Sequence, residues 1–246
     1  MCSFSGDVMD TTDDKQQMLP LSERVASALI AHILNEGLSQ GDKLPNEKLL
    51  CEKLDVGRST LREAVRMLAS RNILVVKHGS GIYVSDKPGL SDDPLGLAFI
   101  RDKEKLVLDL VDFRLMVEPR TVALAAQKAT PEQVAQLKEL CLEVERCIAA
   151  KEPHARADAA FHTKLGELSG NLVMPNLEPI MFKAIELFAH MCIRNSREET
   201  ISSHRQIVRF IEEHDSVGAM DAMVMHLTLN RSSLIKYLKS QEHKSA

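Results

Sequence analysis

Asn46-Glu47-Lys48-Leu49-Leu50-Cys51-Glu52-Lys53-Leu54-Asp55-Val56-Gly57-Arg58-Ser59-Thr60-Leu61-Arg62-Glu63-Ala64-Val65-Arg66-Met67-Leu68 decides how the N-terminal third of this chain folds. Asn46 is a side chain suited to cap a helix, and the spacing predicts a short one over Glu47 to Leu54, with Leu49, Leu50 and Leu54 inward. Asp55-Val56-Gly57 is too short for anything but a tight turn. A second helix follows from Arg58 to about Asn72, its apolar stripe formed by Leu61, Ala64, Val65 and Leu68. Two helices across a three-residue turn have helix-turn-helix geometry. In that geometry the second helix leads into the DNA major groove with its N-terminal residues. Those residues are Arg58, Ser59, Thr60 and Arg62, with Arg66 a turn later; Arg58 and Arg62 share one face, opposite Leu61, Val65 and Leu68.

Working outward, Ser22 reads as the N-cap of a preceding helix carrying Val25, Ala26, Leu29, Ile30, Ile33 and Leu34, closed by Gly37. Downstream, Ile73–Val76 and Ile82–Val84 are β-prone runs around Lys77-His78-Gly79-Ser80-Gly81, a hairpin whose basic tip would reach the DNA backbone or minor groove. Asp86 to Pro94, rich in Pro, Gly, Ser and Asp, reads as a linker. Everything beyond it has helical spacing, in segments near 94–101, 103–127, 131–150, 153–169, 172–194, 198–213 and 216–240. The expected layout is a disordered tail (1–20), a winged helix-turn-helix domain of three helices plus a β-hairpin (21–85), the linker (86–94), an all-α helical-bundle effector domain (95–240) and a flexible tail (241–246). The fold class is therefore mainly α.

Composition narrows the partners. Of 246 residues, 44% are hydrophobic and only 4% aromatic, a helix-leaning mix. No run is long and apolar enough for a membrane span, and the acidic start has no apolar leader. Five scattered cysteines without a C-x-x-C pair suit a reducing cytoplasm, where this protein is expected. The net charge of −4 hides an asymmetry: residues 21–87 hold ten Lys/Arg against eight Asp/Glu, inside an acidic chain. That permits binding of double-stranded DNA without requiring it.

In the second half, Asp158 and His162 stand at i, i+4 and share a helix face. His204 and His226 fall on two later helices. A carboxylate with three imidazoles could hold a divalent metal, and Zn, Ni and Mn all suit that set; satisfied or solvent-facing histidines give the same spacing. Arg114 lies on the apolar stripe of its helix, so it needs a partner. That partner is Glu118 at i+4 in a structural ion pair, or the carboxylate of a bound effector. His190, Arg194 and Asn195 could line the same pocket.

Leu44-Pro45-Asn46-Glu47-Lys48, Gly57-Arg58-Ser59-Thr60-Leu61-Arg62-Glu63-Ala64 and His78-Gly79-Ser80-Gly81-Ile82-Tyr83-Val84 together closely resemble the GntR family of bacterial transcription regulators. The resemblance implies DNA contacts from Lys48, Arg58, Thr60, Arg62, His78 and Gly79, alongside Ser59 at the helix start. Lys48 stands where the family usually has Arg, and Gly57 where it often has Ser. Asp158-Ala159-Ala160-Phe161-His162, with Leu165 and Leu168-Ser169-Gly170-Asn171 after it, resembles the FCD ligand-sensing domain of the FadR-type branch, as do His204-x-x-Ile207 and Ala222 with His226-Leu227. In metal-binding members this implies ligands at Asp158, His162, His204 and His226, and family members carry a similar R-x-x-x-E in the helix of Arg114 and Glu118, placing that pair in the effector pocket that His190 and Asn195 could also line.

The sequence thus points to a homodimeric regulator, a repressor rather than an enzyme. It would bind a palindromic operator and answer to a small organic or sugar acid held in a metal-containing helical pocket. Two other readings are a regulator for which the metal itself is the signal and, more remotely, a metalloenzyme fused to a DNA-binding arm. A purely structural DNA-binding protein would leave the Asp and His set without a use.

Overall fold

In the computed structural model of the chain, residues 19–91, 93–192 and 197–245 are described. The chain divides into two compact units, meeting in sequence between Ser91 and Asp92. The expected N-terminal tail falls outside the described residues except at Leu19 and Pro20.

The first unit holds α1 (Leu21–Asn35), α2 (Glu47–Leu54), α3 (Arg58–Ser70), β1 (Leu74–Lys77) and β2 (Gly81–Val84). Pro20, not Ser22, is the N-cap of α1: its carbonyl accepts from the amides of Glu23 (3.0 Å) and Arg24 (3.1 Å), and Ser22 is buried in the first turn. At the other end Gly37, at φ +64°, lets Leu38 N–H return to the Ile33 carbonyl and its own N–H to Leu34, closing the helix in a Schellman motif. Asn46 caps α2, accepting from Leu49 N–H at 2.9 Å. Leu50 is buried, whereas Leu49, expected inward, is 41% exposed. A two-turn helix presents too few residues for its neighbours around the axis all to reach one core.

Leu29, Leu50, Leu61, Leu68 and Leu74 close the centre of this unit, packed with Ile82 and Val84 from the hairpin. β1 and β2 pair antiparallel with Leu74 opposite Val84 and Lys77 opposite Gly81. The segment before α2 runs alongside β2: Leu44 N–H donates to Ile82 O (2.8 Å) and Lys43 bridges Tyr83. Just past α3, Asn72 adopts φ 53°. Its Nδ2 donates to the carbonyls of Lys87 (3.1 Å) and Leu90 (2.6 Å), its Oδ1 accepts from Ser85 Oγ, and its carbonyl accepts from Gly89 N–H. The first half of the expected linker is therefore fastened to the end of α3.

The second unit begins with a single 3-10 turn, Leu97–Phe99, where a helix was expected over 94–101. Asp93 accepts from both Leu97 and Ala98 amides and holds the turn tight. Six helices follow: α4 (Lys103–Lys128), α5 (Pro131–Ala149), α6 (Ala155–Leu168), α7 (Glu178–Cys192), α8 (Arg197–Glu212) and α9 (Ser216–Ser245). Thr130 and Gln133 form a reciprocal capping box at the start of α5, with Pro131 in its first turn. The single segment expected over 172–194 is a 3-10 turn, Met174–Leu177, running into α7. The expected flexible tail is instead helix through Ser245, in keeping with a stretch of good helix formers lacking Gly and Pro. No strand follows Val84 among the described residues. Val122, Leu137, Val144, Phe161, Leu165, Ile207 and Leu227 build the main core from five helices. No described helix is long and apolar enough to cross a membrane.

Leu61→Ala, at the centre of the first unit, is expected to lower its unfolding free energy by about 2–5 kcal/mol. Asn46→Ala, which deletes one cap, should cost about 1 kcal/mol. Urea titration of the two variants checks the order, and an equal cost would place Leu61 outside the core.

A candidate DNA-reading face and a candidate metal centre

α3 buries Leu61, Ala64, Val65 and Leu68 against the first core, which turns Arg58, Ser59, Arg62 and Arg66 outward; Thr60 is half-buried. Gly57 caps α3 with no side-chain acceptor, so its first N–H groups remain without one and can meet a phosphate. Arg62 is held by Glu47 from the first turn of α2. Lys48 is exposed and lies 4.0 Å from Glu52. His78 and Gly79 are exposed at the hairpin tip, where Gly79 takes φ +71°.

The structure adds one basic residue, Lys43, beside Lys77 of the expected hairpin tip. Lys77 Nζ lies 4.5 Å and Lys43 Nζ 5.8 Å from the Tyr83 ring centre. The Ser80 hydroxyl, 2.6 Å from the Tyr83 hydroxyl, draws the phenol below its ordinary pKa, and both lysines add to this. A Cβ on Gly81 would meet Lys43 Cε at 2.8 Å, so glycine there lets the lysine stem lie across the hairpin. The cue available in sequence was only Lys-Leu-Pro ahead of α2, and nothing in it announces a contact with β2.

In the second unit four helices converge on one buried polar cluster. α4 supplies Arg114 and Glu118, α6 Asp158 and His162, α8 His204, and α9 His226; all are buried. His162, His204 and His226 offer ring nitrogens within 4.8 Å of one another. Asp158 Oδ1 lies 3.3 Å from His204 Nε2 and 3.8 Å from His162 Nε2. Phe161 stacks on the His204 ring at 4.3 Å between centres, setting its plane. His204 sits two turns inside α8.

Charge is handled tightly. Arg114 Nε donates to Glu118 Oε1 at 2.5 Å, and Arg114 Nη2 stands 3.0 Å from His162 Nε2. Burial is the largest single influence on Glu118 and pushes its carboxyl up, but Arg114 and His162 together outweigh it and hold the group well below the usual carboxylate range. Burial drives His204 and His226 well below the ordinary imidazole value, with neighbouring imidazoles and Arg114 adding to it, so both are neutral with lone pairs to give. Among the described residues, Asp158 Oδ1 and both His204 ring nitrogens are buried without a hydrogen-bond partner. Orphaned polar atoms of this kind facing one another are what a cation would satisfy.

Two polar residues here escaped the sequence reading. Ser203 Oγ donates to Thr200 O (3.0 Å) and lies 2.8 Å from His226 Nδ1, so it accepts a hydrogen bond from Nδ1–H and leaves the Nε2 lone pair free to act as an acceptor. Asn230 Nδ2 lies 3.2 Å from that Nε2. Its i+4 spacing from His226 was the available signal. His190 is exposed at the end of α7, not drawn into the cluster, and Arg194 and Asn195 lie outside the described residues. A small cavity of about 10 Å³, lined in part by Thr121, Thr163 and Met181, lies beside Glu118 and His162.

Two family descriptions match the chain: "Bacterial regulatory proteins, gntR family" over residues 21–84 and "FCD domain" over residues 109–229. A solved structure described as Streptococcus agalactiae GntR is 42% identical, with a TM-score of 0.78, covering 86% of this chain and 99% of that one. The Uxu operon transcriptional regulator of Escherichia coli K12 is 27% identical over 217 residues, 83% of each chain. A putative L-lactate dehydrogenase operon regulatory protein of the same organism is 26% identical over 90% of this chain and 89% of its own. The Glc operon transcriptional activator of that organism is 29% identical over 70% and 71% respectively.

Glu118→Ala would leave the Arg114 guanidinium buried without its carboxylate, and is expected to cost about 3–5 kcal/mol. Glu212→Ala, which breaks the half-exposed pair with Lys138, should cost under about 1 kcal/mol. Denaturant melts of both variants measure the contrast; similar costs would mean Arg114 finds another partner.

Proposed function

Because this chain belongs to the GntR family of bacterial transcription regulators and carries that family's FCD domain, we propose that it is a cytoplasmic, homodimeric repressor whose grip on a palindromic operator is controlled by a small organic or sugar acid bound at a metal centre. Operator reading falls to Arg58, Ser59, Thr60 and Arg62 in the major groove. Lys48 and the hairpin residues His78 and Gly79 meet the backbone or minor groove. Two copies related by a twofold axis would match the symmetry of the site.

The observation carrying the sensing half is the buried polar cluster. Asp158, His162, His204 and His226 would hold a divalent ion, with Ser203 fixing the tautomer of His226. Zn, Ni and Mn all suit one carboxylate and three imidazoles. When bound, the ion supplies a positive centre to which an oxygen ligand can attach. Arg114 and Asn230, whose N–H groups stand beside the imidazole nitrogens, would be in place to donate to such a ligand.

Charge counting supports an acid. With the imidazoles neutral, as coordination requires, the cavity holds one guanidinium and two carboxylates, a net charge of −1. A divalent ion brings it to +1, and a single carboxylate from an effector brings it to neutrality. One similar regulator is named for the L-lactate dehydrogenase operon, and L-lactate is a hydroxy acid of this kind. The acid shifts operator binding only if it binds the DNA-free and DNA-bound states unequally.

Melting curves against a panel of small organic and sugar acids, with and without chelator, test the pocket. An acid at 100 times its dissociation constant adds about 2.7 kcal/mol. The expected result is one acid that stabilises the untreated protein and loses its effect on chelation. If no acid shifts the melt but chelation lowers it, the metal itself is the signal or a structural part. His204→Ala should reduce bound metal, and Ser203→Ala should weaken metal affinity by roughly 10-fold or more; unchanged metal content in His204→Ala would sink the ligand set. Arg58→Ala should weaken operator binding and leave acid binding intact, and reporter output with and without the acid gives the sign of regulation.

A further inference from the structure

Arg62 lies one turn inside α3, and Glu47 opens α2, the other helix of the pair. Arg62 Nε is 3.2 Å and 3.1 Å from the two Glu47 carboxylate oxygens, and Nη2 is 2.9 Å from Oε2. The side chains are 60% and 38% exposed. An exposed pair of this kind adds little to stability, and fixing a long side chain in one rotamer opposes it.

The geometry has a use at a DNA-reading position. A guanidinium has five N–H donors. The carboxylate takes one from Nε and one from Nη2, which leaves the terminal edge, formed by Nη1 and the outer hydrogen of Nη2, free and held in direction. A parallel pair of donors at that edge matches the O6 and N7 acceptors of guanine in the major groove. The neighbouring cations are not presented this way: Arg66 Nε donates back to the Arg62 carbonyl, and Lys48 lies beside Glu52.

We propose that Glu47 is a positioning residue for base readout: it aims the Arg62 guanidinium at a guanine in each half-site and neutralises it against unspecific attraction to phosphate. This rests on the DNA-reading assignment of α3. Two consequences of removing the carboxylate then have opposite signs. Arg62 becomes a free, swinging cation, so preference for the guanine falls while attraction to any duplex rises.

The test selects duplexes from a random-sequence pool with the full chain as wild type, Glu47→Ala and Arg62→Ala, then titrates each protein against a selected and an unrelated duplex at several salt concentrations. Wild type should enrich a guanine that Arg62→Ala ignores. Glu47→Ala should lower that enrichment at least about five-fold. It should also bind the unrelated duplex at least as tightly as wild type, with log K falling more steeply against log salt by about one unit. Retention of the guanine preference by either variant overturns the proposal, as does parallel loss of specific and unspecific binding in Glu47→Ala. If wild type enriches no sequence, the DNA-reading premise falls first, and the proposal with it.

Discussion

A guanidinium that is 1% exposed can remain charged inside a helical bundle only when carboxylates and acceptors surround it. Arg114 meets this condition through Glu118 one turn along its own helix and His162 from α6. Much of the second unit follows from that requirement. α4 and α6 must stay in register for Glu118 to touch both Arg114 and His162. α8 and α9 must approach closely enough for His204 and His226 to complete the cluster. The apolar residues around it, Val122, Phe161, Leu165 and Leu227, keep water out and so raise the stakes of every polar contact.

The first unit is governed differently. Its core is small and leucine-rich, closed by three helices and one hairpin, and its charged residues are at the surface. There the constraint is presentation rather than burial. On α3, packing Leu61, Val65 and Leu68 inward turns Arg58 and Arg62 outward.

Where local rules dominate, the sequence was readable. The three-residue turn, the Asn46 cap, the hairpin and the Pro and Gly breaks in the second half each act within a few residues, and those elements lie where the spacing put them. Errors came where a longer-range partner decided the outcome. Ser22 is a local exception: it is a good cap by type, but the carbonyl of Pro20, two residues before it, begins the helix earlier. Leu49 is as apolar as Leu50, and only the position of α1 and α3 selects between them. In the candidate centre, Asp158 and His162 were visible as an i, i+4 pair with His204 and His226 on two later helices, and the resemblance to FCD domains joined the four into one ligand set. Ser203 and Asn230 were missed because a serine or asparagine on a helix gives no sign of what another helix places beside it. His190 was favoured for its type and lies exposed.

Asn72 gives the molecule a mechanical property. Its side chain and carbonyl form four hydrogen bonds with residues between Ser85 and Leu90, so the strand of chain leaving the hairpin is cleated to the residue just past α3. Tension arriving along the chain from that side would therefore reach Asn72, just past the C-terminal end of α3, before it reached the hairpin.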